Sequence, residues 1–174
     1  MESFDQYTIS IKDLEIGKHH FDFHVTDDFF ENFDNSEFHK GDIQVDIYLY
    51  KESRLITIEF CISGSIETAC DRCLENFDLN LNSTNTLYFR FGDQHTEQSH
   101  DLIVIKNEDQ RIELAQYIYE FICLSVPIKR VHPDDENGRS TCNKNMLSEL
   151  EDHQPDAEGK MDPRWAILKN IDLN

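Results

Sequence analysis

The chain has 174 residues, enough for one domain with a tail or a small second lobe. Its 35 acidic and 16 basic side chains leave a formal net charge of −19, which repels a phosphate backbone and makes tight direct RNA binding the less favoured route to any RNA-related role. Hydrophobic residues make up 39%, with 12 Phe and 6 Tyr, which excludes a disordered acidic polymer and favours a strand-rich core; no apolar run of about 18 residues spans a membrane.

The opening Met1-Glu2-Ser3-Phe4-Asp5 has neither the basic start nor the apolar run of an export signal. The chain is therefore expected to be cytoplasmic, with its five cysteines reduced. Alternation then sets in. Tyr7, Ile9 and Ile11 alternate with polar residues, as do Phe21, Phe23 and Val25. After these strands a short helix is expected at Asp27 to Phe33, capped by Thr26 or Asp27. Ile43, Val45, Ile47 and Leu49 share one strand face, and Ile56, Ile58, Phe60 and Ile62 share another. The break Lys51-Glu52-Ser53 makes the pair a hairpin. Further strands are read at Phe77 to Leu81, at Leu87 to Phe91 and at Asp101 to Ile105. One-sided alternation with short connections predicts an antiparallel sheet and not a parallel one.

The period changes after Asn107. Leu114, Ala115, Ile118, Phe121 and Ile122 follow one helical face, with Asn107 and Gln110 as a candidate capping box and Pro127 as the stop. This helix is expected to lie across the concave side of the sheet. Residues His132 to Ser140 are polar and turn-rich, a short amphipathic piece is read at Asn145 to Leu150, and Glu151 to Lys160 reads as an acidic linker. The end, Asp162-Pro163-Arg164-Trp165-Ala166-Ile167-Leu168, has a helix-opening Asp-Pro and apolar residues on one side. The fold expected is α+β: a curved or partly closed antiparallel sheet with one main helix packed across it and a short C-terminal helix. A single domain is placed over 1–145, with the acidic linker and terminal helix over 146–174.

Cys70-Asp71-Arg72-Cys73 is a C-x-x-C, whose tight turn aims two thiolates at one point. Cys142 is the candidate third ligand and His132 the fourth, which would complete a structural Cys₃His zinc site. Two alternatives stand beside zinc: reduced thiols at a strand turn, and a thioredoxin-like redox pair. The redox pair needs a helix opening at the first Cys, whereas these flanks read as strands. Cys123 reads as a small buried hydrophobe. His20 and His24 share one wet strand face among acids and read as surface residues. Lys129 and Arg130 are two charges where RNA binders show a stripe, so a solvated loop is the reading there.

Three pieces in order resemble the YceD-like family of large ribosomal RNA accumulation proteins. They are Cys70-Asp71-Arg72-Cys73-Leu74-Glu75; the strand Asp101 to Ile105 leading through the helix to Ser125-Val126-Pro127, His132 and Cys142; and the terminal Asp162-Pro163-Arg164-Trp165-Ala166-Ile167-Leu168. The resemblance spans roughly residues 40 to 171. It implies a bacterial cytoplasmic protein, or a plastid counterpart, that supports accumulation of the large-subunit ribosomal RNA, and it brings no catalytic residues. The expectation is a non-enzymatic assembly factor whose partners are large-subunit precursors or basic ribosomal proteins. Arg72, Arg164 and Trp165 match family motif positions and are candidate partner contacts. For Trp165 the alternative is an anchor for its own helix, and for Arg72 a salt bridge to the acidic body. Two other functions compete: a zinc-stabilised module with a non-ribosomal partner, and an RNA-processing hydrolase. The hydrolase reading lacks an H-E-x-x-H, a Gly-rich phosphate loop or a nucleophile elbow.

Overall fold

The structure is a computed structural model that describes residues 4–92, 96–99, 101–106 and 108–153. Asn107, the segment from 154 on and the candidate contacts Arg164 and Trp165 lie outside the described residues. The strands are β1 (Thr8–Ser10), β2 (Gly17–Val25), β3 (Gly41–Lys51), β4 (Leu55–Ala69), β5 (Asn76–Gly92), β6 (Thr96–Ser99), β7 (Leu102–Lys106) and β8 (Arg111–Glu113). The helices are α1 (Asp27–Phe30), α2 (Ala115–Ser125) and α3 (Lys144–Asp152). The chain is thus α+β, with one sheet in the order β2-β3-β4-β5-β7-β6 and a separate β1-β8 pair.

Period-two alternation builds the main sheet. In β3 the residues Ile43, Val45, Ile47 and Leu49 are buried, while Asp42, Tyr48 and Tyr50 on the other face are exposed. The expected hairpin is present, with Ile47 opposite Phe60 and Leu49 opposite Ile58. The main helix presents Ala115, Ile118 and Ile122 to the core. Phe121 packs edge-on against Phe60 of β4 at 5.0 Å, and Tyr117 against Phe89 of β5 at 5.8 Å. On the same side Tyr7 meets Phe29 of α1 at 4.9 Å, and Phe33 stacks on Tyr119 at 4.2 Å. One face of the sheet is therefore roofed by helices and aromatic rings.

Several expectations are corrected. The sheet is not closed: it runs from β2 at one edge to β6 at the other. It is not wholly antiparallel, because β7 pairs with β5 in parallel, Phe89 beside Ile103. The two strands read around Leu81 and Leu87 are one continuous strand of 17 residues. The polar stretch Asn82 to Thr86 interrupts the apolar pattern but not the ladder, since β4 supplies a partner throughout, from Ala69 opposite Asn76 to Leu55 opposite Arg90. Inward-facing Asn85 donates to Ser83, so the polar atoms at the weak spot satisfy each other.

The main helix also starts later than the proposed capping box. Residues 111–113 form β8 against β1, with Ile112 opposite Ile9 and both buried. Asp109 spends its carboxylate on the Lys106 N–H instead of on the helix. Leu114 takes the N-cap position without a side-chain cap, and its own N–H donates to Tyr7 O. Thr26 precedes α1 but its hydroxyl does not cap it, and Asp27 accepts from the Gly41 N–H. No helix among the described residues is long and apolar enough to cross a membrane.

Gly64 of β4 pairs with Ile43 of β3. Its φ is +151°, and a Cβ there would sit 2.2 Å from the Asp42 carbonyl oxygen. Gly17 has a similar φ of +140° with open space around it. The pair separates backbone strain from steric clash. Urea denaturation should show Gly17→Ala losing about 1 kcal/mol and Gly64→Ala losing about 3 kcal/mol or more.

Candidate metal centre

β4 and β5 end in a turn spanning Cys70 to Glu75. The Cys70 N–H donates to Glu75 O and the Leu74 N–H to Cys70 O, both at 2.9 Å. Closing the turn requires Leu74 to adopt a φ of +60°, a left-handed conformation that favours glycine. The Arg72 N–H points back at the Cys70 sulfur at 3.5 Å. This geometry turns both cysteines inward, where they are buried, and leaves Arg72 exposed at the tip.

After α2 the chain returns to this tip. The Asp71 N–H donates to Arg130 O at 2.7 Å, and the Arg130 N–H donates to the Asp71 carboxylate at 2.6 Å. The Arg130 side chain binds Glu37, with Asp71 3.9 Å away. Arg130 is thus a clasp and not the solvated loop charge expected from sequence. Two residues on, His132 Nδ1 sits 3.4 Å from the Cys73 sulfur, with its ring against Phe77 at 4.6 Å. The loop then doubles back through the Asp134–Ser140 bridge, with Asp135 accepting from the Asn137 and Arg139 N–H groups. This brings in Cys142, 3.8 Å from the Cys70 sulfur and 3.8 Å from His132 Nδ1.

The four ligand atoms of Cys70, Cys73, His132 and Cys142 all lie within 4.8 Å of one another. A tetrahedral ion with metal–sulfur bonds of about 2.3 Å and a metal–nitrogen bond of about 2.0 Å needs sulfur–sulfur edges of about 3.8 Å and sulfur–nitrogen edges of about 3.5 Å. The Cys70–Cys142 edge of 3.8 Å and the Cys73–His132 edge of 3.4 Å fit that polyhedron, and the Cys142–His132 edge of 3.8 Å is slightly longer. The four residues proposed from sequence are therefore brought together, and they are able to hold a metal ion.

Electrostatics agree with the donor set. Burial, the largest single influence on the Cys70 thiol, pushes it up, yet the N–H groups of Arg72, Cys73 and His132 outweigh burial and hold it at about 6. The Ser140 hydroxyl pulls the Cys142 thiol down, but burial and the neighbouring Cys70 and Cys73 push it up on balance. One thiolate is welcome in this cluster and a second is resisted. A divalent cation removes that repulsion.

The shell around the sulfurs was less visible in sequence. Phe77, Val131 and Leu147 pack on the cysteines. Asn143 accepts from the Asn145 and Met146 N–H groups, capping α3, while its amide donates to Glu75 at 2.6 Å. The helix therefore starts on the turn that carries the first two cysteines. Asn143 had a legible signal, an Asx just before an amphipathic run. The Asp71–Arg130 clasp joins positions 59 apart and had none.

The other chemistry-bearing residues stay apart from this site. His20 pairs with Asp46 at 3.0 Å and His24 with Asp42 at 2.6 Å on the exposed sheet face. Cys123 is half-buried beside the core, and burial pushes its thiol up. A groove between α2 and β8 is lined by Asp109, Arg111, Glu113 and Glu120, but Asp109 is bound to the Lys106 backbone and Glu120 accepts from Gln116.

A family model described as "Large ribosomal RNA subunit accumulation protein YceD" matches residues 58–172, a span that contains all four ligand residues. No curated protein and no solved structure matches the chain.

The donor set predicts a spectroscopic result. Cobalt(II) titrated into the reduced chain should bind once and give the strong visible bands and sulfur-to-metal charge transfer of a tetrahedral thiolate site. Four ligands share about 10–16 kcal/mol in structural sites of this kind, so Cys142→Ser should weaken binding by about a hundredfold or more.

Proposed function

The chain belongs to the family of the large ribosomal RNA subunit accumulation protein YceD, and from that premise we propose that it is a non-enzymatic cytoplasmic factor supporting assembly of the large ribosomal subunit through protein partners. The family match, covering the sheet's longest strands and the metal centre, is the observation that carries this reading. The net charge of −19 supports protein partners over direct RNA contact: a surface this acidic repels phosphate and attracts the basic proteins that ribosomal RNA is assembled with.

In this reading the ion held by Cys70, Cys73, His132 and Cys142 is zinc, and its role is structural. Four protein ligands leave no open position for water or substrate, the arrangement of structural and not of hydrolytic zinc sites. Zinc would supply cross-linking: it would join the β4–β5 turn, the returning loop at His132 and the start of α3. Arg72, exposed beside the centre, is a contact offered to a partner; it makes no ion pair among the described residues.

The reading predicts what the native chain associates with. Tagged protein recovered from cell extract at low salt should enrich large-subunit proteins and precursor particles over small-subunit ones by about tenfold, and the enrichment should fall as salt rises, since exposed charges are screened within about 8–10 Å at moderate ionic strength. Quantitative mass spectrometry at two salt concentrations measures both. Equal recovery of the two subunits would contradict the assignment.

A further inference from the structure

The sheet has two unlike faces. Helices and aromatic rings roof one; no described element covers the other, and tyrosines stand on it in the open. Tyr48 is 50% exposed, Tyr50 42% and Tyr88 40%. The exposed part of a large aromatic side chain gains nothing for folding, and such residues grouped together mark an interaction surface.

Register fixes how they are grouped. Thr57, near the start of β4, has Tyr50 on one side and Tyr88 on the other. With strands about 4.8 Å apart, the two tyrosines stand about 10 Å apart across it. The next outward residue of β4 is Glu59, directly opposite Tyr48 on β3 and Thr86 on β5. Thr57 is thus flanked by Tyr50 and Tyr88, and Glu59 by Tyr48 and Thr86, which places three phenols around one carboxylate. Tyr48 is backed by the His20 ring at 4.8 Å. Glu59 accepts only from the Cys61 thiol at 3.8 Å and meets no cation among the described residues. Asp22, Asp46 and Asp78 extend the negative field over the same face, against Lys18 and Arg90.

A carboxylate beside exposed aromatic rings is the chemistry that recognises an ammonium or guanidinium group: the rings attract a cation over their faces and the carboxylate supplies the opposite charge. We infer that the open sheet face centred on Glu59, Tyr48, Tyr50 and Tyr88 docks an arginine- or lysine-rich segment of a protein partner. This rests on the reading that the chain works through basic proteins, and it names the surface that does so. A nucleic-acid strand also stacks on exposed rings, but its phosphates would face Glu59 and the neighbouring aspartates.

The test is fluorescence anisotropy with the full-length chain and a labelled peptide of alternating arginine and glycine, beside an oligo-uridine of similar length. Wild type should bind the peptide and not the RNA. Glu59→Lys should weaken the peptide about tenfold, and the charge-neutral double variant Tyr48→Ser/Tyr88→Ser by a similar factor. Glu136→Lys, the same charge change on an exposed loop, should cost less than about threefold. All four residues are exposed, so unchanged circular dichroism and melting confirm folded variants. Equal losses for Glu59→Lys and Glu136→Lys, an unaffected tyrosine double variant, or preference for the RNA would each overturn the docking face. The same variants in the large-subunit recovery experiment keep the two proposals distinct. Peptide binding that depends on the face, with no ribosomal material recovered by wild type, would remove the ribosomal partner and leave the face. Ribosomal recovery that ignores the face variants would do the reverse.

Discussion

Three sulfurs and an imidazole, drawn from segments up to 72 residues apart, meet at the tip of one hairpin, and the described chain from Val126 onward depends on that meeting. From Val126 onward the chain buries little that could hold it in place. Cys142 is its buried apolar side chain, with Val131 and Leu147 packed partly around it. The final helix has nine residues and buries none of them. A helix that short is not stable alone in water. It is held by its cap, since Asn143 bonds both the helix start and Glu75, and by the sulfur cluster one residue earlier. The Asp71–Arg130 clasp supplies the remaining tie.

The main sheet is a separate source of order. It presents a continuous apolar face from Val45 to Phe89 and is roofed by α1, α2 and the N-terminal turn around Tyr7. Lys51 fastens the loop before β2 by donating to Ile11 O and Leu14 O. That division of labour explains where functional residues are found. The sheet leaves one face uncovered by any described element, while the Cys₃His cluster gathers an otherwise weakly held extension at its end. An acidic surface, a buried Cys₃His cluster and an open aromatic face are the features on which the proposed binding role rests.

Much of this was written in the sequence, and what was not has physical reasons. Alternation of Ile43 to Leu49 with Ile56 to Ile62 gave the central hairpin and its buried face directly, because each strand has one wet side. The four ligand residues were legible because C-x-x-C spacing dictates a turn and because Cys142 and His132 sit in a polar loop with no other use for a buried thiol. The continuity of β5 was hidden, since Asn82 to Thr86 satisfies its hydrogen bonds through β4 and not through any local signal. The β1–β8 pair and the parallel β5–β7 pairing were hidden for the same reason: strand partners are chosen by tertiary packing, and Ile112 pairs with Ile9 across 103 positions. The left-handed Leu74 was invisible because leucine carries no bias toward that conformation.

The central claim is that metal, sulfur and imidazole hold residues 126–153 onto the hairpin tip. Amide hydrogen exchange with and without a strong chelator, under reducing conditions, tests it most directly. The account predicts that chelation strips protection from residues 70–75 and 130–153 while β3, β4 and the buried face of α2 keep theirs. Protection at residues 130–153 that is indifferent to the chelator would contradict it, and would leave the sulfur cluster as packing alone.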